Sequence, residues 1–169
     1  GAVLELLVAG DSSAAGVGVA EQAQALAAPL AVHLAEQLKC TVRWTLLAQS
    51  GLNTAQLHAF VRRHCARADV AVIVSGVNDV VEQVPSHRAT QHRQALTNWL
   101  RHHGGARHVA FLPLPPVHGF HGLPQPLRWV AGADARRHNQ ALEQWVALQG
   151  ESVSLVEQKL PFNRGLMAS

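Results

Sequence analysis

Short apolar runs alternate with longer amphipathic stretches along this chain, and that alternation constrains the fold more than any single motif does. Val3 to Ala9 is a short apolar run that stops at Gly10, the mark of a buried strand. Glu21 to Lys39 reads as a helix, because Leu26, Leu30, Leu34 and Leu38 recur every four residues on one face. Val42, Trp44 and Leu46 alternate with Arg43 and Thr45, the pattern of a strand with one wet face. Thr54 to Ala66 is helical, with Leu57, Val61 and Cys65 in register, and Val70 to Val74 is an uninterrupted β-branched run. His87 to His103 predicts a third helix with Leu96, Trp99 and Leu100 inward. His108 to Leu114 is a strand stopped by Pro113, Pro115 and Pro116. A loop rich in Pro and Gly runs to Leu127. Ala133 to Leu148 is a helix whose buried stripe is Leu142, Trp145 and Val146, and Val153 to Val156 is a fifth strand.

Five strands separated by four helices imply a parallel sheet in an α/β domain. The alternating second strand and the short fifth read as edges, and the continuous first, third and fourth as centre. The order 2-1-3-4-5 satisfies this, and right-handed crossovers then place helices on both faces, a flavodoxin-like three-layer sandwich. With 169 residues, 48% of them apolar, the chain supplies one core. No repeat or linker divides it, so a single domain over 1–169 is expected.

In such a sheet the site lies beyond the carboxyl ends of the strands. Gly10-Asp11-Ser12-Ser13-Ala14-Ala15-Gly16 follows the first strand, Gln49-Ser50-Gly51-Leu52-Asn53 the second, and Gly76-Val77-Asn78-Asp79 the third. Ser12 sits at the mouth of the first loop, with its hydroxyl exposed and its own N–H facing the cleft. That suits an acyl-transfer nucleophile, and equally a helix N-cap. Gly51 can present an unobstructed backbone N–H and Asn78 a side-chain amide, which are the donors an oxyanion needs. Each is also an ordinary turn residue. Taken together after three neighbouring strands, the residues favour a hydrolase. Neither phosphate-binding glycine fingerprint is present, and the elbow Gly-x-Ser-x-Gly fails at Ala14.

Gly10-Asp11-Ser12, Gly51 within Ala48-Gln49-Ser50-Gly51, and Gly76-Val77-Asn78-Asp79 resemble, in order and spacing, the first three sequence blocks of the SGNH (GDSL) hydrolases. Ala68-Asp69-Val70 leading into Val74-Ser75-Gly76, then Leu114-Pro115-Pro116 and Leu123 to Trp129, are similar to bacterial members of that family, of the lysophospholipase and arylesterase kind. The resemblance covers nearly the whole chain. It implies a flavodoxin-like fold and a serine esterase that uses no metal and no cofactor. Ser12 is then the nucleophile, and the N–H groups of Ser12 and Gly51 with the Asn78 amide form the oxyanion hole. Asp11 and Asp79, with Gly10, support the motifs by bracing loops rather than reacting. Pro116, His118 and Phe120 fall in the expected substrate loop, and the expected partner is a small-molecule acyl ester. A catalytically inactive acyl- or sugar-binding module on the same fold is the alternative.

The family's last block, Asp-x-x-His, is not found: none of Asp11, Asp69, Asp79 and Asp134 is followed by His three residues later. His118 and His121 lie at the correct end of the sheet but have no Asp beside them. Relatives of this kind read Met-Ala-Ser and then Asp-Gly-x-His-Pro, whereas this sequence stops at Met167-Ala168-Ser169. The expectation is that the Asp and His lie just beyond Ser169. Other classes are disfavoured. The net charge of +3 is spread along the chain and aromatic residues are few, which argues against nucleic acid. No apolar run is long enough to span a membrane. The absence of a signal-peptide pattern favours the cytoplasm, while a start without Met leaves the location open. Cys40 and Cys65 read as small buried hydrophobes, and His102-His103 and His118/His121 lack partners at metal-ligand spacing.

Overall fold

The computed structural model describes residues 2–11, 19–49, 51–64, 66–114 and 127–156. Ser12, Cys65 and the loop residues Pro116, His118, Phe120 and His121 lie outside the described residues. The strands are β1 (Val3–Gly10), β2 (Thr41–Ala48), β3 (Val70–Val74), β4 (His108–Phe111) and β5 (Val153–Leu155). The helices are α1 (Val19–Leu38), α2 (Thr54–Arg63), α3 (Val77–Val81), α4 (Ser86–His102) and α5 (Leu127–Ala147). All strand pairs are parallel, and the order is β2-β1-β3-β4-β5, as the burial pattern of the runs predicts.

Alternation along each strand splits the core in two. Leu7 and Ala9 of β1, Ala71 and Ile73 of β3, and Val109 and Phe111 of β4 face Leu57 and Val61 of α2, Leu96 and Leu100 of α4, and Leu142 and Trp145 of α5. Leu6, Val8, Val72 and Ala110 face the other way, onto Leu30 and Ala31 of α1. The central strands are buried on both faces because crossover helices cover both. The outer strand β2 is less protected: Arg43 and Thr45 are exposed, and Trp44 keeps 36% of its surface. Cys40 is a half-buried free thiol rather than a core residue. Among the described residues no helix is long and apolar enough to cross a membrane.

The sequence pattern places four helices, and the structure adds α3, a single turn directly after β3. Five residues are too few to display a helical period, so Asn78 and Asp79 read as loop residues. Gly10 also has a reason the pattern does not reveal. It remains within β1, and a Cβ on it would lie 2.2 Å from the carbonyl oxygen of Val74 and 2.7 Å from that residue's Cβ. Backbone cannot yield there as a flexible side chain could. Gly10→Ala is therefore expected to cost roughly 1–3 kcal/mol, read as a lower urea midpoint. A midpoint equal to that of the parent protein refutes the close-approach account.

Candidate active site

The strand register brings three chain segments to one rim. Gly10 lies between Ala48 and Val74, its partners on β2 and β3, so these three strands finish level. The chain continues in line. The Asp11 N–H donates to the Val74 carbonyl at 2.9 Å, and the Gln49 N–H donates to the Gly10 carbonyl at 3.2 Å. Asp11 is thereby fixed between the other two loops and buried to 4% exposure.

Its carboxylate gathers the neighbouring loops. The Gly51 N–H donates to Asp11 Oδ1 at 3.0 Å. The Asn78 amide donates to Asp11 Oδ2, and also to the Leu52 carbonyl at 3.1 Å. A backbone donor after β2 and a side-chain donor after β3 thus meet on one carboxylate, in the residue immediately before Ser12. Gly51 has φ +86°, with open space where a Cβ would stand, so it is the left-handed backbone rather than crowding that calls for glycine. Asn53 then starts α2 with a capping box: its side chain accepts from the Gln56 N–H at 2.8 Å, and the Gln56 side chain accepts from the Asn53 N–H at 2.9 Å.

Asp79 performs a second tie. It is fully buried, and its two carboxylate oxygens each lie 3.3 Å from the Thr54 N–H, with the Thr54 hydroxyl at 2.5 Å from Oδ2. A carboxylate at the first turn of α2 also meets the positive end of that helix. Asp11 and Asp79 therefore both brace loops: one joins the segments after β1, β2 and β3, and the other locks α3 to α2. Asn139 of α5, which pattern reading overlooks, pins the end of the β4 segment. Its side chain accepts from the Leu114 N–H at 2.7 Å and donates to the Leu114 carbonyl at 3.2 Å.

Behind α3 stand two further groups that periodicity treats as ordinary helix residues. His138 of α5 is 3% exposed and its Nε2 is 2.9 Å from the Val84 carbonyl. Val84 in turn donates its N–H to the Asp79 carbonyl at 2.8 Å. Burial, then the Arg93 charge, pushes the His138 pKa down, so the ring is neutral at pH 7 and donates from Nε2. Arg93 of α4 is 2% exposed. Burial lowers its pKa to about 10 while Asp79 opposes the shift, and it remains a cation at neutral pH. Beside these residues a polar cleft of about 260 Å³ is lined by Gln83, Ser86, His87, Asp134, Arg137 and His138, among others.

The model of the GDSL-like lipase/acylhydrolase family matches residues 8–164. The chain belongs to that family. Carboxylic ester hydrolysis is therefore its enzyme class. No curated protein matches the chain in sequence. Solved GDSL-type structures share the fold. AlinE4, an SGNH-hydrolase family esterase, superposes with a TM-score of 0.63 at 18% identity, over 100% of this chain and 81% of its own. The lipase Lip_vut3 from a goat rumen metagenome gives 0.61 at 18% identity, over 92% and 80%. Axe2, an acetylxylan esterase from Geobacillus stearothermophilus studied as a catalytic mutant, gives 0.63 at 16% identity, over 98% and 81%. At these identities the likeness concerns the sheet and its helices, and the GDSL assignment rests on the family match.

Proposed function

We propose that Ser12 is the nucleophile of this esterase, and that the N–H groups of Ser12 and Gly51 and the Asn78 amide form its oxyanion hole. The supporting observation is the meeting of the Gly51 N–H and the Asn78 amide on one carboxylate in the residue preceding Ser12. A tetrahedral oxyanion offers those donors the same chemistry, a negatively charged oxygen, one residue further along. Asp11 keeps the donors aligned, and the developing oxyanion competes with it for their hydrogens.

The reaction then runs in two steps. The Ser12 Oγ attacks the carbonyl carbon of an acyl ester while a histidine takes its proton. Collapse of the tetrahedral species breaks the bond to the alcohol, which leaves with that proton. Water, deprotonated by the same histidine, attacks the acyl-serine and frees the acid. The histidine is the one in the family's Asp-x-x-His block, which residues 1–169 do not contain. The substrate is a small-molecule acyl ester, in keeping with the lipase and the acetylxylan esterase that share the fold.

A fluorophosphonate probe tests the assignment. The full-length protein is expected to take up one label, carried by the peptide that contains Ser12. Labelling elsewhere, or none, refutes Ser12 as an activated nucleophile and leaves an inactive acyl-binding module as the better reading.

A further inference from the structure

Leu114 stands alone among prolines. The segment leaving β4 reads Pro113-Leu114-Pro115-Pro116, and of these four residues only Leu114 carries a backbone N–H. Two residues earlier the chain is still tied to β3, where the Leu112 N–H donates to the Ile73 carbonyl at 3.0 Å. Leu114 pairs instead with Asn139 of α5, whose amide accepts from the Leu114 N–H at 2.7 Å and donates to the Leu114 carbonyl at 3.2 Å. One primary amide has the acceptor and the donor that this task needs. By taking both backbone groups of one residue it fixes how Leu114 is turned.

The Leu114 side chain so directed is buried to 5% exposure, and it packs with Val77 and Val80 of α3 and Ala135 of α5. It also lies directly behind Gly76. A Cβ on Gly76 would stand 2.9, 3.3 and 3.7 Å from three carbons of the Leu114 side chain, and these are the atoms nearest to that point. Gly76 is the N-cap of α3, with φ +121°, and its carbonyl accepts from the Val80 N–H at 3.1 Å. The other ties on this part of the chain act elsewhere. Asp79 is bonded to Thr54, and Val84 to His138. The Asn78 amide is held at its tip by Asp11 and the Leu52 carbonyl. The backbone from which that side chain springs is backed by Leu114.

We propose that Asn139 is a positioning residue for Asn78: by holding Leu114 it backs Gly76 and fixes the first turn of α3, on which Asn78 stands. The consequence for rate rests on reading Asn78 as an oxyanion donor. A close-packed interior passes a shift of Leu114 on to Gly76 rather than absorbing it. A donor displaced by a fraction of an ångström then meets the developing oxyanion poorly, and such misplacement is costly to rate.

Variants of the full-length protein test this. Asn139→Leu removes both bonds to Leu114 at similar volume, and it is expected to lower kcat for p-nitrophenyl acetate by about tenfold, with KM changed less than about twofold. Leu114→Ala should do the same, whereas Leu114→Met, which keeps the volume behind Gly76, should retain most of kcat. In an Asn78→Ala background, Asn139→Leu should cost little further activity, because its effect passes through the missing amide. The same factor lost in both backgrounds, or a Leu114→Met enzyme as poor as Leu114→Ala, overturns the proposal. The NMR signals of the Asn78 side-chain amide supply a readout that needs no turnover, and it carries the test for any variant too unstable to assay at length. Asn139→Leu should move them, while Gln140→Leu, on the exposed side of α5, should leave both signals and kcat as in the parent protein. Moved signals support the link from Asn139 to Asn78 even if Asn78→Ala leaves kcat intact, which would refute the oxyanion reading alone. Unmoved signals overturn the link even if Ser12 takes the label.

Discussion

Ser12→Ala is expected to abolish hydrolysis of p-nitrophenyl acetate by the full-length protein. Loss of a serine nucleophile that works with a histidine lowers kcat by about 10⁶-fold in well-studied serine hydrolases, because attack on the carbonyl reverts to water. What survives is the contribution of the oxyanion donors and of binding, roughly 10³–10⁴ over the uncatalysed reaction. The Gly51 N–H is held by Asp11, and the Asn78 amide by Asp11 and the Leu52 carbonyl, so the hole should outlast the substitution. KM for a short acyl ester should therefore change little. Turnover equal to that of the parent protein would take Ser12 out of the mechanism.

Asn78→Ala comes second in size. One neutral donor to a developing oxyanion is worth about 10²–10³ in kcat, or roughly 2.7–4 kcal/mol. The loss belongs to kcat, because the charge it stabilises forms only as the tetrahedral species does. The side chain has a structural task as well, since it is buried to 9% exposure and donates to Asp11 and to the Leu52 carbonyl. Leaving those buried acceptors short of a donor costs about 1–3 kcal/mol of stability. Rates should be compared well below the shifted melting midpoint. A decrease of less than tenfold in kcat, matched by an equal rise in KM, would assign Asn78 to ground-state binding instead.

Much of this architecture was legible because buried parallel strands announce themselves. Val70 to Val74 has no polar residue, and such a run has few places to go except a sheet covered on both faces. The edge position of β2 followed from its Arg43 and Thr45, which the structure leaves exposed. The site blocks were legible for a topological reason, since each follows a strand and the strands end level. The supporting chemistry was not. α3 is one turn long, and Asp79 and Thr54 hold it in a tie that no local pattern reports. His138 was legible as a member of an amphipathic helix but not as the partner of the Val84 carbonyl, 54 positions away. Arg93 did leave a signal: it lies three and seven residues before Leu96 and Leu100, so a charge occupies an apolar stripe.

The wiring of Asp11 also bears on when this protein can first act during its synthesis. Its bonds reach 40 positions forward to Gly51 and 67 to Asn78, across two crossovers of the sheet. On the proposed assignment, a nascent chain on the ribosome cannot bring the Gly51 and Asn78 donors together until α3 has emerged and β3 has docked beside β1. Such distant pairings impose loop-closure entropy before any contact rewards it, and they form late. On that assignment, partly folded species are expected to be inactive toward esters, and recovery of activity on refolding should follow closure of the central sheet.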